Sequence, residues 1–204
     1  MPVIRLFLRG HHAATLAGAA SALLLVAWWL AGTVLPVPQL LQGRNSPIAL
    51  EMALPVLFAP LFAYGFGGVV LRVEHGSRRS LLVPDLVLFL LACAPIAIVA
   101  GLAALTGDGD FAAVVARNAA VCAGASLLLL TWFGQSAAVT GPILYFFVVS
   151  LVGGNPDGSA QWWALLRAPG TPQTAAAGLV LLAAGLVAYH RRARAAAAMR
   201  AAGD

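Results

Sequence analysis

"RVEHGSRRSLLVPD", residues 72–85, sets three arginines, two acids and a histidine between two long apolar runs. In a soluble domain such a stretch would be ordinary surface. Here only 9% of the 204 residues are charged and 61% are hydrophobic, whereas a soluble domain carries about 25% charged residues to keep its surface wet. The chain cannot cover itself with charge, so its solvent is lipid. The composition predicts an integral membrane protein, in which residues 72–85 are a polar loop between two membrane spans.

A span needs about 20 apolar residues, fewer where neighbours help. Working outward from the loop, six stretches qualify: 13–36, 49–71, 84–106, 111–133, 137–154 and 174–190. The expected fold is an all-α integral membrane protein, a single transmembrane domain of six helices over residues 1–204. Arg117 and Asn118, near the start of the fourth stretch, are expected to enter the headgroup region. Arginine bias then sets orientation. With six spans, Arg5, Arg9, Arg72, Arg78, Arg79, Arg191, Arg192, Arg194 and Arg200 lie on one side, against Arg44, Arg117 and Arg167 on the other. Both termini are therefore expected in the cytoplasm.

The first apolar run is too long for a cleaved signal peptide, and Ala17-Gly18-Ala19 precede its greasiest part rather than follow it. In "MPVIRLFLRGHH", Arg5, Arg9 and His12 share one helical face and Ile4, Phe7 and Leu8 supply the other, as in a helix lying in the membrane interface. A basic flank that only sets topology fits equally well. On the outer side, "PVPQLLQGRNSP" cannot be helical throughout, given its prolines. The connection "GGNPDGSAQWWALLRAPGTPQ" opens on Asn155-Pro156-Asp157-Gly158 and closes on Pro169-Gly170-Thr171-Pro172, both turn signals. Between them, "SAQWWALLR" is expected to form a short outer-leaflet helix with Trp162 and Trp163 at the interface; an ordinary surface loop is the alternative.

Several chemistries are excluded or weak. Every basic residue apart from histidine is arginine. A phosphate-binding P-loop requires a lysine, and so does Schiff-base catalysis. Cys93 and Cys122 read as small hydrophobes in helices. An intramembrane serine protease would need Ser126 of "CAGAS" to meet His190, but His190 sits at the cytoplasmic edge and Ser126 lies past mid-span, so the small residues read as packing. His11, His12, His75 and His190 have no metal-ligand spacing. Mid-span charge, the mark of an ion path, is absent from the predicted spans, and Pro55, Pro60 and Pro95 are kink sites. The arginines come with no aromatic platform, so no nucleic-acid partner is expected; membrane lipid is.

Within the opening stretch, Glu74-His75-Gly76-Ser77-Arg78-Arg79-Ser80-Leu81-Leu82 resembles the cytoplasmic segment of type-2 ABC exporter permeases. There an acidic stretch, a Gly-Thr pair, an amphipathic helix and a Leu-Leu pair run into the third span. Glu74 and His75 stand for the acids, Gly76-Ser77 for Gly-Thr and Leu81-Leu82 for the leucines. Arg79 stands where the family usually has a second acid, and Pro84 comes one position early. The resemblance implies a coupling helix, with Glu74, His75, Gly76, Ser77, Arg78 and Arg79 contacting an ABC-type ATPase subunit. It also implies a second six-span permease chain, identical or different. The chain would be no enzyme by itself and would hold no cofactor, ATP being bound by the partner. Apart from the resemblance, the alanine and arginine bias suggests a high-GC bacterial genome and so a bacterial inner membrane. The Ala, Gly, Leu and Val of the span interiors suit an apolar or amphipathic cargo, as they equally suit plain helix packing. A non-transporting scaffold or assembly subunit, whose loop merely binds a partner, is the alternative.

Overall fold

The computed structural model describes residues 13–39, 43–72, 82–155 and 157–201. Arg5, Arg9 and the expected coupling-loop residues Glu74, His75, Gly76, Ser77, Arg78 and Arg79 lie outside the described residues.

The apolar stretches fold as helices, with one departure from an all-α design. Helix α1 covers Ala13–Trp29, and the chain then forms strands β1, Val34–Gln39, and β2, Arg44–Ala49. Helix α2 is Leu50–Ala53, a 3-10 turn covers Leu54–Leu57, and α3 runs Phe58–Arg72. Four long helices follow the same way: α4, Leu82–Leu105; α5, Gly109–Phe133; α6, Gln135–Val152; and α7, Pro172–Ala201. Among the described residues, three stretches, Gly109–Phe133, Gln135–Val152 and Pro172–Arg192, are long and apolar enough to cross a membrane.

The first expected span, 13–36, stops early at Trp29. Gly32 adopts φ +78, and Pro36 and Pro38 cannot continue a helix. The antiparallel hairpin that replaces it pairs Pro36 with Pro47 and Pro38 with Asn45. Proline has no N–H, so the ladder bonds fall on the alternate pairs, Leu35 with Ile48 and Val37 with Ser46. The prolines thus point their missing donors at the outer edges, where none is needed. The second expected span, 49–71, is likewise interrupted: Pro55 lies in the 3-10 turn that joins α2 to α3.

Helix α5 is the centre of the bundle. A three-residue link with Gly107 at φ +95 joins it to α4, and the single residue Gly134, φ +87, joins it to α6. Such short links make successive helices antiparallel neighbours. Small residues bring α7 against α5. A Cβ on Gly124 would lie 2.6 Å from the Leu181 backbone, and one on Gly185 would lie 2.6 Å from the Gly124 carbonyl oxygen. The two backbones are in contact, as helices in lipid achieve with small residues. "CAGAS" is a packing surface.

The serine of that motif has a second task. Pro142, inside α6, lacks the N–H that would bond the Ala138 carbonyl, and Ser126 of α5 donates to that carbonyl at 3.0 Å. A neighbouring hydroxyl thereby restores the bond that proline removes.

The two ends of the bundle differ in charge. Leu16, near the start of α1, packs on Gly65 of α3. Phe66 meets Tyr189 edge-on at 5.6 Å, and Arg192 donates to the Leu130 carbonyl at 3.5 Å. The start of α1, the Arg72 end of α3, the end of α5 and the Arg191-Arg192 pair therefore share one end. The opposite end carries the hairpin, the link at 106–108 and residues 153–171.

Replacing Gly124 by Leu should destabilise the bundle by about 1–3 kcal/mol through overpacking, while Gly101→Ala, which meets open space, should be neutral; thermal unfolding in detergent checks both. Ser126→Ala should cost on the order of 1 kcal/mol and much less in a Pro142→Ala background, where the helix supplies its own donor.

Candidate functional site

Two of the polar side chains buried in the bundle, Arg117 and Asn118, converge on one segment. Arg117 and Asn118 lie about 12 Å along α5 from its first residue, at 1.5 Å per residue, and both are buried, Arg117 being only 2% exposed. Their place near the start of an apolar run suggested exposure at its edge; in the fold both are covered by protein. A long side chain on a helix leans toward the helix N-terminus. Arg117 therefore reaches back toward Ala113 and Val114, against which Gly170 packs.

There the guanidinium is shared among backbone carbonyls. Its Nη1 donates to the carbonyls of Ala168 and of Pro169, the latter at 2.8 Å. Nη2 donates to Leu166 O at 3.3 Å and to Asn118 Oδ1 at 2.9 Å, and Nε donates to the same Oδ1 at 3.0 Å. The Asn118 amide in turn donates to Leu166 O at 3.1 Å and to Met52 O at 3.4 Å, tying the segment to α2. From α6, the Tyr145 hydroxyl donates to Trp163 O at 2.6 Å and accepts the Leu165 N–H at 3.1 Å. Three side chains on two helices thus hold the backbone of residues 163–169. Below them Ala164 and Leu166, both fully buried, pack with Val56, Val121, Cys122 and Val149.

The expected outer helix carrying Trp162 and Trp163 does not form. Among the described residues, 153–171 contain only turns and one isolated bridge, Gly154 with Ala160. Ala164 N–H bonds Gln161 O at 2.9 Å and Arg167 N–H bonds Ala164 O at 3.0 Å, which makes consecutive turns. Breaks in the backbone and hydrogen bonds from distant residues both act against a helix here. Pro169 and Pro172 have no N–H for the carbonyls that precede them, Gly158 takes φ +89, and side chains claim carbonyls a helix would need. Regular structure resumes at α7. Thr171 and Thr174 cap its first turn reciprocally, each N–H donating to the other's hydroxyl at 3.2 and 3.4 Å, with Pro172 at the first helical position.

Chemically this arrangement is a set of hydrogen bonds that holds a stretch of backbone in place. Each guanidinium nitrogen of Arg117 is engaged. Ser126 donates to Ala138 O, while His190 Nε2 is buried with no partner among the described residues, so the two do not form a hydrogen-bonded pair. Among the described residues, no group of three or more His, Cys, Asp or Glu side chains gathers as metal ligands do. The sequence singled out Trp162 and Trp163, marked Arg117 and Asn118 only as headgroup residues, and did not mark Tyr145. The available signal was the polar pair Arg117-Asn118 inside a helix otherwise able to span the membrane.

No model of a known protein family matches the chain, and no curated protein or solved structure does either.

Arg117→Met should lower stability by about 2–4 kcal/mol, because carbonyls of the segment lose a charged donor, with Arg117→Lys intermediate because it keeps the charge but not the planar fork. Amide hydrogen exchange should rise at residues 163–170 and stay unchanged at the Phe62–Phe66 contact of α3. Tyr145→Phe should cost about 1 kcal/mol and speed exchange at Leu165.

Proposed function

We propose that this chain is the permease subunit of an ATP-driven exporter, embedded in a bacterial inner membrane as six spans with both termini in the cytoplasm. A partner ATPase docks on the loop between α3 and α4, and a second permease chain, identical or different, completes the path for an apolar or amphipathic cargo. This chain supplies the path and the lever; ATP binds the partner.

The observation that carries the reading is the gathering of basic flanks at one end of the bundle. The Leu16–Gly65 packing, the Phe66–Tyr189 ring contact and the Arg192–Leu130 hydrogen bond bring the start of α1, the Arg72 end of α3 and Arg191-Arg192 to the same end. That arrangement supports a cytoplasmic face there, since short cytoplasmic loops are enriched in arginine. The segment that resembles a coupling helix, with Glu74, His75, Gly76, Ser77, Arg78 and Arg79, follows Arg72 and precedes Leu82 in the sequence. A lever works best there: two apolar helices anchor both its roots, so a push on the loop tilts α3 and α4 together.

The test is purification from the native membrane in mild detergent, with crosslinking beforehand to guard against subunit loss. An ATPase should accompany the chain, and its turnover should fall several-fold when Glu74 or Arg78 is changed to Ala. If crosslinked preparations contain no ATPase, or if turnover ignores both substitutions, the exporter reading fails.

A further inference from the structure

Among the described residues, the five most exposed large apolar side chains all stand at the ends of the bundle. Trp29, Leu105 and Trp162 are 84%, 85% and 89% exposed, and Trp132 and Phe133 are 74% and 75% exposed. Trp29 closes α1, Leu105 closes α4, and Trp162 lies in the segment between α6 and α7, all at the capped end. Trp132 and Phe133 close α5 at the other. Facing water, these side chains would be unfavourable on both ends at once. Along α5, Trp132 lies 23 residues beyond Gly109, about 34 Å at 1.5 Å per residue. A bilayer is about 30 Å thick across its hydrocarbon and about 40–45 Å across its headgroups. The two sets are thus spaced to sit at the two interfaces, where tryptophan rings satisfy both an apolar and a polar solvent.

Trp162 differs from the others in standing on turns rather than on a helix, yet its backbone is fixed on both sides. Gln161 N–H donates to Gly153 O at 2.9 Å, and Trp163 O accepts from Tyr145 at 2.6 Å. Beyond it, Arg117 and Asn118 hold Leu166, Ala168 and Pro169. The buried polar residues therefore have a consequence at the surface: they fix the height of an exposed indole relative to the helix axes.

We infer that the segment 160–169 is a bracket that seats Trp162 in the headgroup–acyl boundary of the outer leaflet, level with Trp29 and Leu105, while Trp132 and Phe133 seat the opposite end in the inner leaflet. The partner of both surfaces is the lipid bilayer, and Tyr145 and Arg117 are positioning residues for the outer one. This rests on the membrane placement of the proposed function and not on ATP coupling, so the absence of an ATPase leaves it standing.

The test uses two full-length variants that keep one tryptophan each. One keeps Trp162, with Trp28, Trp29, Trp132 and Trp163 changed to Phe; the other keeps Trp132, with the remaining four changed. Each is reconstituted in phosphatidylcholine vesicles carrying bromine either near the headgroup or near the acyl-chain end. Both indoles should be quenched strongly by the shallow bromine and weakly by the deep one. Adding Tyr145→Phe should blunt that preference for Trp162 and leave it intact for Trp132, whose unchanged signal also reports that the bundle is folded. No quenching of Trp162 by either lipid would place it in water or on a protein and overturn the inference. Stronger quenching by the deep bromine would overturn it too, as would a Trp162 profile indifferent to Tyr145→Phe.

Discussion

A backbone carbonyl removed from water needs a donor, and in this chain the places where the backbone cannot supply one determine the arrangement of the rest. Helices answer their own carbonyls, and most of the described chain is helical for that reason. Two places fail. Pro142 leaves the Ala138 carbonyl without an N–H, and the turns at 163–169 leave several carbonyls facing an apolar interior. In each case a side chain of α5 supplies what is missing: Ser126 at the first, Arg117 and Asn118 at the second, with Tyr145 of α6 assisting. Helix α5 is central because it packs on its neighbours and also completes their hydrogen bonding.

Close packing makes that geometry possible. A Cβ on Gly178 would lie 3.2 Å from the Arg117 carbonyl oxygen, and the absence of that methyl lets α7 lie against α5 at the level of the guanidinium. The first turn of α7, with Thr174 beside Pro169 O at 2.8 Å, is thereby brought within reach of the same carbonyl cluster. The glycines at 124, 178 and 185 serve one surface, and the polar residues use the proximity that surface provides. Cost and benefit here are local. An arginine buried among hydrocarbon side chains is expensive unless its donors are answered, and here the segment's carbonyls, with Asn118, answer them.

The bundle has two ends of unlike construction. One carries Arg72, Arg191 and Arg192; the other is covered by a hairpin and by a segment tied down from below. An exporter permease would use such asymmetry, with a lever at the basic end and a fixed outer end against which helices tilt. The physical reading of the cap does not depend on the cargo, because its hydrogen bonds are all made within the chain.

What the sequence determined by itself is what depends on composition and periodicity. Too little charge to wet a surface pointed to a mostly helical protein with helices long and apolar enough to cross a membrane, and the apolar runs placed the long helices to within a few residues at 109–133 and 135–152. Proline spacing excluded a continuous helix at 36–47, and "CAGAS" read correctly as packing, because such properties act over one or two turns. Tertiary structure alone decided the hairpin, since two short strands become stable only by pairing. It decided the loss of the outer helix too: the local pattern of "SAQWWALLR" permits one, but its carbonyls are claimed from residues about fifty positions earlier in the chain. Arg117 shows the difference most plainly. Near the end of an apolar run, an arginine in sequence belongs at the water's edge; in the folded chain it is buried, because three carbonyls far along the sequence offer it more than water does.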